Sequence, residues 1–120
     1  MGAAGEKLAR RHLRNAGLKI LAQNYRCPAG EADLLALDAS TRSTDGVETI
    51  VVVEVKTRSD DHYTDPESAV DARKRDKLRK IARYYASAHR AGDLNIRFDI
   101  VSIVIRPGTE PQIKHIVGAF

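Results

Sequence analysis

A chain of 120 residues can bury one hydrophobic core but not two, so residues 1–120 are expected to form a single domain. Its 42% hydrophobic and 30% charged residues exclude disordered and fibrous classes, and 20 Lys and Arg against 16 Asp and Glu leave a net charge of only +4. One cysteine, four scattered histidines, and no membrane-length apolar run or leader pattern exclude a disulfide framework, a zinc spacing and a membrane protein, and point to the cytoplasm.

Residues 3–16 carry a helical repeat, with Leu8, His12 and Ala16 four apart, Ala9 and Leu13 beside them, and Gly17 placed as a cap. Leu18 to Tyr25 reads as a strand. Cys27-Pro28-Ala29-Gly30 is a turn, and Glu31 to Leu37 forms the second strand. A polar stretch from Ala39 to Gly46 is the tip of a hairpin leading into a central strand, Val47 to Lys56. That strand is apolar and β-branched enough to be buried on both faces. After a polar loop over residues 58–65, Pro66-Glu67 opens a long helix to about Arg90, stopped near Gly92. Asn95 to Ile105 and Gln112 to Val117 are the last strands. The order α-β-β-β-α-β-β combines a hairpin with a helical crossover, so an α/β fold with a mixed sheet flanked by helices is expected.

The chemistry concentrates at the end of the central strand. Glu54 and Lys56 are two residues apart and project from one face, while Asp33 lies on the preceding strand of the same hairpin. A buried strand should not end in uncompensated charges. A hard divalent cation such as magnesium or manganese is one compensation, because it accepts one or two carboxylates and waters. Asp33 and Glu54 would hold it, the Val55 carbonyl would add a ligand, and Lys56 would orient a water or neutralise developing negative charge. An ion pair among Asp33, Glu54 and Lys56 satisfies the same pattern. A bare D…ExK spacing does not distinguish the two.

The stretch Arg73 to Arg83 holds seven basic residues and one acid, a local charge of +6 that exceeds that of the whole chain. Such asymmetry fits contact with backbone phosphates, although charge runs are usually solvated helix faces. Lys74 falls on the stripe of Leu78, Ile81 and Tyr85. Its amine either snorkels to the rim or reaches the carboxylates or a phosphate. Arg58 is placed for phosphate contact just past Lys56. Tyr84 and Tyr85 are candidates for base stacking, with Tyr85 fitting the core better. Asp60-Asp61-His62 matches no defined metal cage and reads as an acidic loop.

A collinear set of residues goes further. It comprises Gly5-Glu6, Ala9, Asn24-Tyr25-Arg26, Gly30-Glu31-Ala32-Asp33-Leu34, Val53-Glu54-Val55-Lys56-Thr57-Arg58, Lys74, Lys77-Leu78, Ala82, Arg97-Phe98-Asp99-Ile100 and Ala119-Phe120. In these the chain resembles the YraN-like family of uncharacterised bacterial proteins, of the PD-(D/E)xK nuclease superfamily and similar to Holliday-junction resolvases. The resemblance implies a restriction-endonuclease-like fold with metal at Asp33 and Glu54. It also implies that Glu6, on the first helix, approaches the metal; read from its position alone, Glu6 is a first-turn carboxylate that the helix dipole favours whatever its function. Arg75 departs from the glutamine usual after the helix lysine.

The expectation is therefore a magnesium- or manganese-dependent endonuclease-like protein acting on DNA, including branched or structured DNA. Asp33, Glu54, Lys56 and Glu6 are the catalytic candidates, Asp33, Glu54 and Val55 the metal ligands, and Arg58, Lys74, Arg75 and Lys77 the nucleic-acid contacts. A substrate with two-fold symmetry would be matched by a homodimer. The rival expectation is a module that keeps the fold but only binds nucleic acid or docks a partner.

Overall fold

A computed structural model describes residues 2–59 and 70–120. The repeat at the start folds as helix α1 (Gly2–Asn15), with Ala9 and Leu13 fully buried. Gly17 takes φ 93° and the Leu18 N–H reaches the Leu13 carbonyl at 2.9 Å, closing the last turn as the cap residue predicts.

Strands β1 (Lys19–Cys27) and β2 (Gly30–Asp38) form the expected hairpin. The polar tip that follows is more ordered than its composition predicts. Asp38 accepts the Ser40 N–H to start a 3-10 turn over Ala39–Thr41, and a short helix α2 (Arg42–Asp45) ends at Gly46 with φ 81°. Strand β3 is Thr49–Arg58, helix α3 is Ala72–Ala88, and β4 (Asn95–Val104) and β5 (Gln112–Ile116) complete the chain.

The sheet is mixed, with strand order β1-β2-β3-β4-β5. β3 and β4 are parallel and every other pair is antiparallel. A parallel pair needs a crossover, and α3 lies within the connection between its two strands. The helices take opposite faces. Val51 and Val53 of β3 pack with Ala9, Leu13, Leu34 and Ile103 on the α1 side, whereas Ile50 and Val52 pack with Leu78, Ile81, Tyr85 and Ile100 on the α3 side. This two-sided burial is what the β-branched run in β3 encodes.

Helix α3 differs from expectation at both ends. Residues 60–69, which include Pro66-Glu67 and Asp60-Asp61-His62, lie outside the described residues. Asp71 is extended and its side chain accepts the Lys74 N–H at 3.0 Å, so it is the N-cap and the helix begins at Ala72. The far end closes before Gly92. Arg90 adopts φ 52° and the Ala91 N–H bonds the Ala86 carbonyl at 2.7 Å, a termination usually left to glycine. Among the described residues, no helix is long and apolar enough to cross a membrane.

Candidate functional site

Hydrogen bonding between β2 and β3 runs from Asp38↔Thr49 to Leu34↔Val53 and stops there. Beyond that point the strands diverge. Ala32 and Leu35 both belong to the α3-side core, so simple alternation along β2 breaks between them. The break falls at Asp33, bracketed in register by Asn24, which takes φ 49°. At this fork the Asp33 carboxylate takes the place of a ladder partner, and its Oδ2 accepts the Val55 N–H at 2.8 Å. One carboxylate oxygen is thus fixed by the backbone of the strand that carries Glu54.

Glu54 belongs to the α3 face and its side chain is only 4% exposed. Its counter-charge is Lys74, one turn into α3, whose Nζ lies 3.4 Å from Glu54 Oε2. Burial pushes the Glu54 carboxyl above the ordinary glutamate range, and the neighbouring Asp33 carboxylate pushes it the same way. Lys74 and then Lys56 oppose the rise without cancelling it. The structure therefore brings Asp33, Glu54, Lys56 and Lys74 into one electrostatic neighbourhood. Of the two readings of Lys74, the reach toward the carboxylates is the one observed.

Glu6 lies past the first turn of α1, which contains no acidic residue, so the helix dipole does not explain it. It accepts a hydrogen bond from Asn24 Nδ2 at 3.4 Å and is held next to the residue that faces Asp33. The charges acting on Glu54 do not include it. α1 reaches this end of the sheet because Gly5 is buried against β3. A Cβ at Gly5 would overlap Thr57 Oγ1 and stand 3.2 Å from Thr57 Cβ.

The basic helix divides into two sets. Arg75 is engaged structurally: its Nε donates to the Val70 carbonyl at 2.8 Å, and its guanidinium lies 5.0 Å over the Phe120 ring. Arg79 covers the same ring and pairs with Asp76. Arg73, Lys77 and Lys80, with Ala29 and Asp76, line an open groove of about 320 Å³. The Lys77 stem crosses Gly30 so closely that a Cβ there would overlap Lys77 Cε. Gly30 and Asp33 are three residues apart on β2, about 10 Å along an extended strand, so this cationic groove opens close to the carboxylates. Tyr84, 46% exposed, extends the stripe of Arg73, Lys77 and Lys80 along the helix, while Tyr85 is in the core. Arg58 ends β3, where its carbonyl accepts the Ile105 N–H at 2.8 Å.

A second polar cluster lies on the α1 face, where nothing was expected. Asp99 is completely buried and accepts from Arg97 Nε at 2.9 Å, Arg97 Nη2 at 3.1 Å, His115 Nε2 at 2.9 Å and the Gly118 N–H at 3.0 Å. Arg97 Nη1 also donates to Asp38 at 2.9 Å, and His115 Nδ1 meets His12 Nε2 of α1 at 3.1 Å. Burial alone would raise the Asp99 carboxyl; the His115, Arg97 and Gly118 donors outweigh it and hold it below the ordinary range. The signal was present in the sequence. Arg97 and Asp99 are two apart on a buried strand, which puts them side by side on one face.

Among the described residues, no group of three or more His, Cys, Asp or Glu side chains is placed to hold a metal. The Asp33–Glu54 pair must then be judged as a two-carboxylate site. Magnesium commonly takes one or two protein carboxylates and completes its shell with water and substrate oxygens. The buried Glu54 and the half-buried Asp33, whose carboxylates repel each other, are hard oxygen donors of that kind, so the residues present fit such an ion.

The sequence model of the uncharacterised protein family UPF0102 matches residues 5–103. The chain is similar to a UPF0102 protein of Nocardia farcinica, 41% identical over 120 residues, covering 100% of this chain and 88% of the relative. It is similar to a Mycobacterium ulcerans UPF0102 protein at 39% over 118 residues, 98% of this chain and 92% of the relative. A Geobacter metallireducens UPF0102 protein is 41% identical over 120 residues, covering 100% and 91%.

Proposed function

The chain belongs to the uncharacterised protein family UPF0102, and we propose from its own geometry that it is a metal-dependent endonuclease-like protein acting on DNA, built on a restriction-endonuclease-like variant of the mixed sheet. The observation that carries this reading is the convergence at the β2–β3 fork. Asp33 is anchored there to the Val55 N–H, beside a buried Glu54 whose carboxyl is pushed upward and faced by Lys74 and Lys56. Buried titratable groups with shifted acidity and a specific charge partner cluster at functional sites.

Asp33 and Glu54 would hold a magnesium or manganese ion, with the Val55 carbonyl as a further oxygen. In a ladder the N–H and C=O of one residue point to the same neighbour, so that carbonyl shares the gap entered by the N–H that Asp33 accepts. Such an ion would neutralise the scissile phosphate and make a bound water more acidic. Lys56, on the Glu54 face, then positions the attacking water or offsets negative charge on the phosphorane oxygens. Lys74 compensates Glu54 when no cation is present and is free to face a phosphate when one is. Glu6 holds Asn24 on β1, across from Asp33. The groove of Arg73, Lys77 and Lys80 takes the flanking phosphates, with Arg58 at the strand end.

The test is incubation of labelled flaps, junctions, single strands and duplexes with magnesium or manganese. Wild type should give metal-dependent product that Glu54→Gln and Lys56→Ala each abolish. Product no greater than that of an Asp33→Ala, Lys56→Ala double variant on every substrate would reject catalysis. One observation favours a second reading, a binding module without turnover: each carboxylate already has a protein partner, Val55 for Asp33 and Lys74 for Glu54. That module would bind DNA with strong salt dependence yet be indifferent to magnesium and to Glu54→Gln.

A further inference from the structure

The exposed face of α1 carries a second cationic surface. Lys7, Arg10, Arg11 and Arg14 are spaced at i, i+3, i+4 and i+7, which places them on one side of the helix. The opposite side, Ala9 and Leu13, is buried against the sheet. With Asn15 the four line an open groove of about 240 Å³. Among the described residues none of the four has a carboxylate partner, although acids elsewhere on the surface are paired. Glu6 is the only acid on α1 and it is engaged by Asn24. Four like charges converging on one groove repel each other, an arrangement that a polyanion would relieve.

The position of this face constrains what the polyanion is. α1 and α3 cover opposite faces of one sheet, and the molecule is 22 Å across its shortest dimension. Their grooves therefore lie on opposite sides of the sheet, so a straight duplex lying along one side leaves the groove on the other side unfilled. Yet both helices reach the same end of the sheet. Gly5 packs on Thr57 next to Lys56, and Lys74 reaches Glu54 from the far side. A nucleic acid that enters the site and engages both grooves must divide or bend sharply there.

We propose that the α1 groove of Lys7, Arg10, Arg11 and Arg14 binds the phosphate backbone of a second duplex arm, while the α3 groove of Arg73, Lys77 and Lys80 binds the first. This rests on the nucleic-acid reading above and narrows its substrate to branched DNA whose arms separate at the β2–β3 fork. The α1 groove contributes affinity and orientation; it carries no base reading, because phosphate contacts fix register without reporting sequence.

The experiment is fluorescence anisotropy with a three-way junction and a linear duplex of equal total length, in EDTA so that nothing is cut, over a range of salt. Wild type should prefer the junction. An Arg10→Gln, Arg11→Gln, Arg14→Gln variant should bind the junction at least tenfold more weakly, down to the level of the duplex. Its salt slope should fall by about 0.9 for each phosphate that the variant no longer neutralises. Lys77→Gln with Lys80→Gln should weaken both ligands. The charge-conserving Arg10→Lys, Arg11→Lys, Arg14→Lys variant should keep the junction preference, which separates lost charge from a damaged helix. Wild type that binds the junction no better than the duplex, or a glutamine variant with unchanged junction affinity and slope, overturns the second-arm assignment alone. Wild type that binds neither ligand at low salt overturns the DNA reading as well.

Discussion

Glu54 is the residue at which structure and chemistry conflict most openly. Its carboxyl is raised in the folded protein, so the folded state holds the proton more tightly than the unfolded chain does. Above the ordinary glutamate range that preference costs stability, and the cost grows until pH passes the raised folded value; below the ordinary range it vanishes. In the absence of divalent metal, Glu54→Gln should therefore melt above wild type at pH 7.5, with the difference closing as the pH falls toward 4. Destabilisation that deepens as pH rises would mean that the Lys74 pair outweighs burial. Asp99 has the opposite sign. Its carboxyl is held low by Arg97, His115 and the Gly118 N–H, so it contributes stability above the ordinary aspartate range that is lost as pH falls through its depressed folded value. Asp99→Asn removes the buried negative charge facing Arg97 and His115 and turns one of its two acceptor oxygens into an NH2 donor, and should cost about 3–5 kcal/mol in denaturant unfolding at neutral pH. A loss within measurement error would show the cluster to be incidental to stability.

At the scale of elements, the register of α1 on β3 is set by one absent side chain. Ala is the better helix former by about 1 kcal/mol, yet Gly5→Ala drives a methyl into Thr57. Overpacking of this kind costs about 1–3 kcal/mol, so net destabilisation is expected by urea melts, with partial recovery in a Gly5→Ala, Thr57→Ala double variant. The elements themselves were largely legible. The β-branched run Ile50–Val53 predicted a strand buried on both faces, and Gly17 predicted the end of α1. Two features were not. α3 starts at Ala72 because Asp71 caps it, a local choice that composition does not distinguish from an earlier start at Pro66. It stops at Ala88 because Arg90 turns left-handed, a conformation that sequence normally assigns to glycine. The same limit applies to side chains. Arg75 belongs to the basic run by composition, but the structure seats it over Phe120.

For the molecule as a whole, two helices on opposite faces of one sheet bring their basic surfaces to the same strand end, where two carboxylates meet two lysines. Alternation put Glu54 and Lys56 on one face, the hairpin put Asp33 on the neighbouring strand, and helical periodicity put Lys74 on the sheet-facing stripe. The opening of the β2–β3 ladder at Asp33 was not legible. The sequence could not place Arg97, Asp99, His115 and His12 together, because that cluster joins β4, β5 and α1 and depends on sheet order rather than on any local pattern. Nor does local pattern reveal that α1 and α3 face apart. The proposed activity requires the Asp33–Glu54 pair to be a cation site rather than a sheet-end ion pair. Anomalous diffraction from a crystal soaked in millimolar manganese tests it directly. A manganese peak bonded to both Asp33 and Glu54, with Lys74 displaced from Glu54 and the peak gone in Glu54→Gln, is the predicted result; no peak at the pair, with the Lys74–Glu54 ion pair intact, would contradict it.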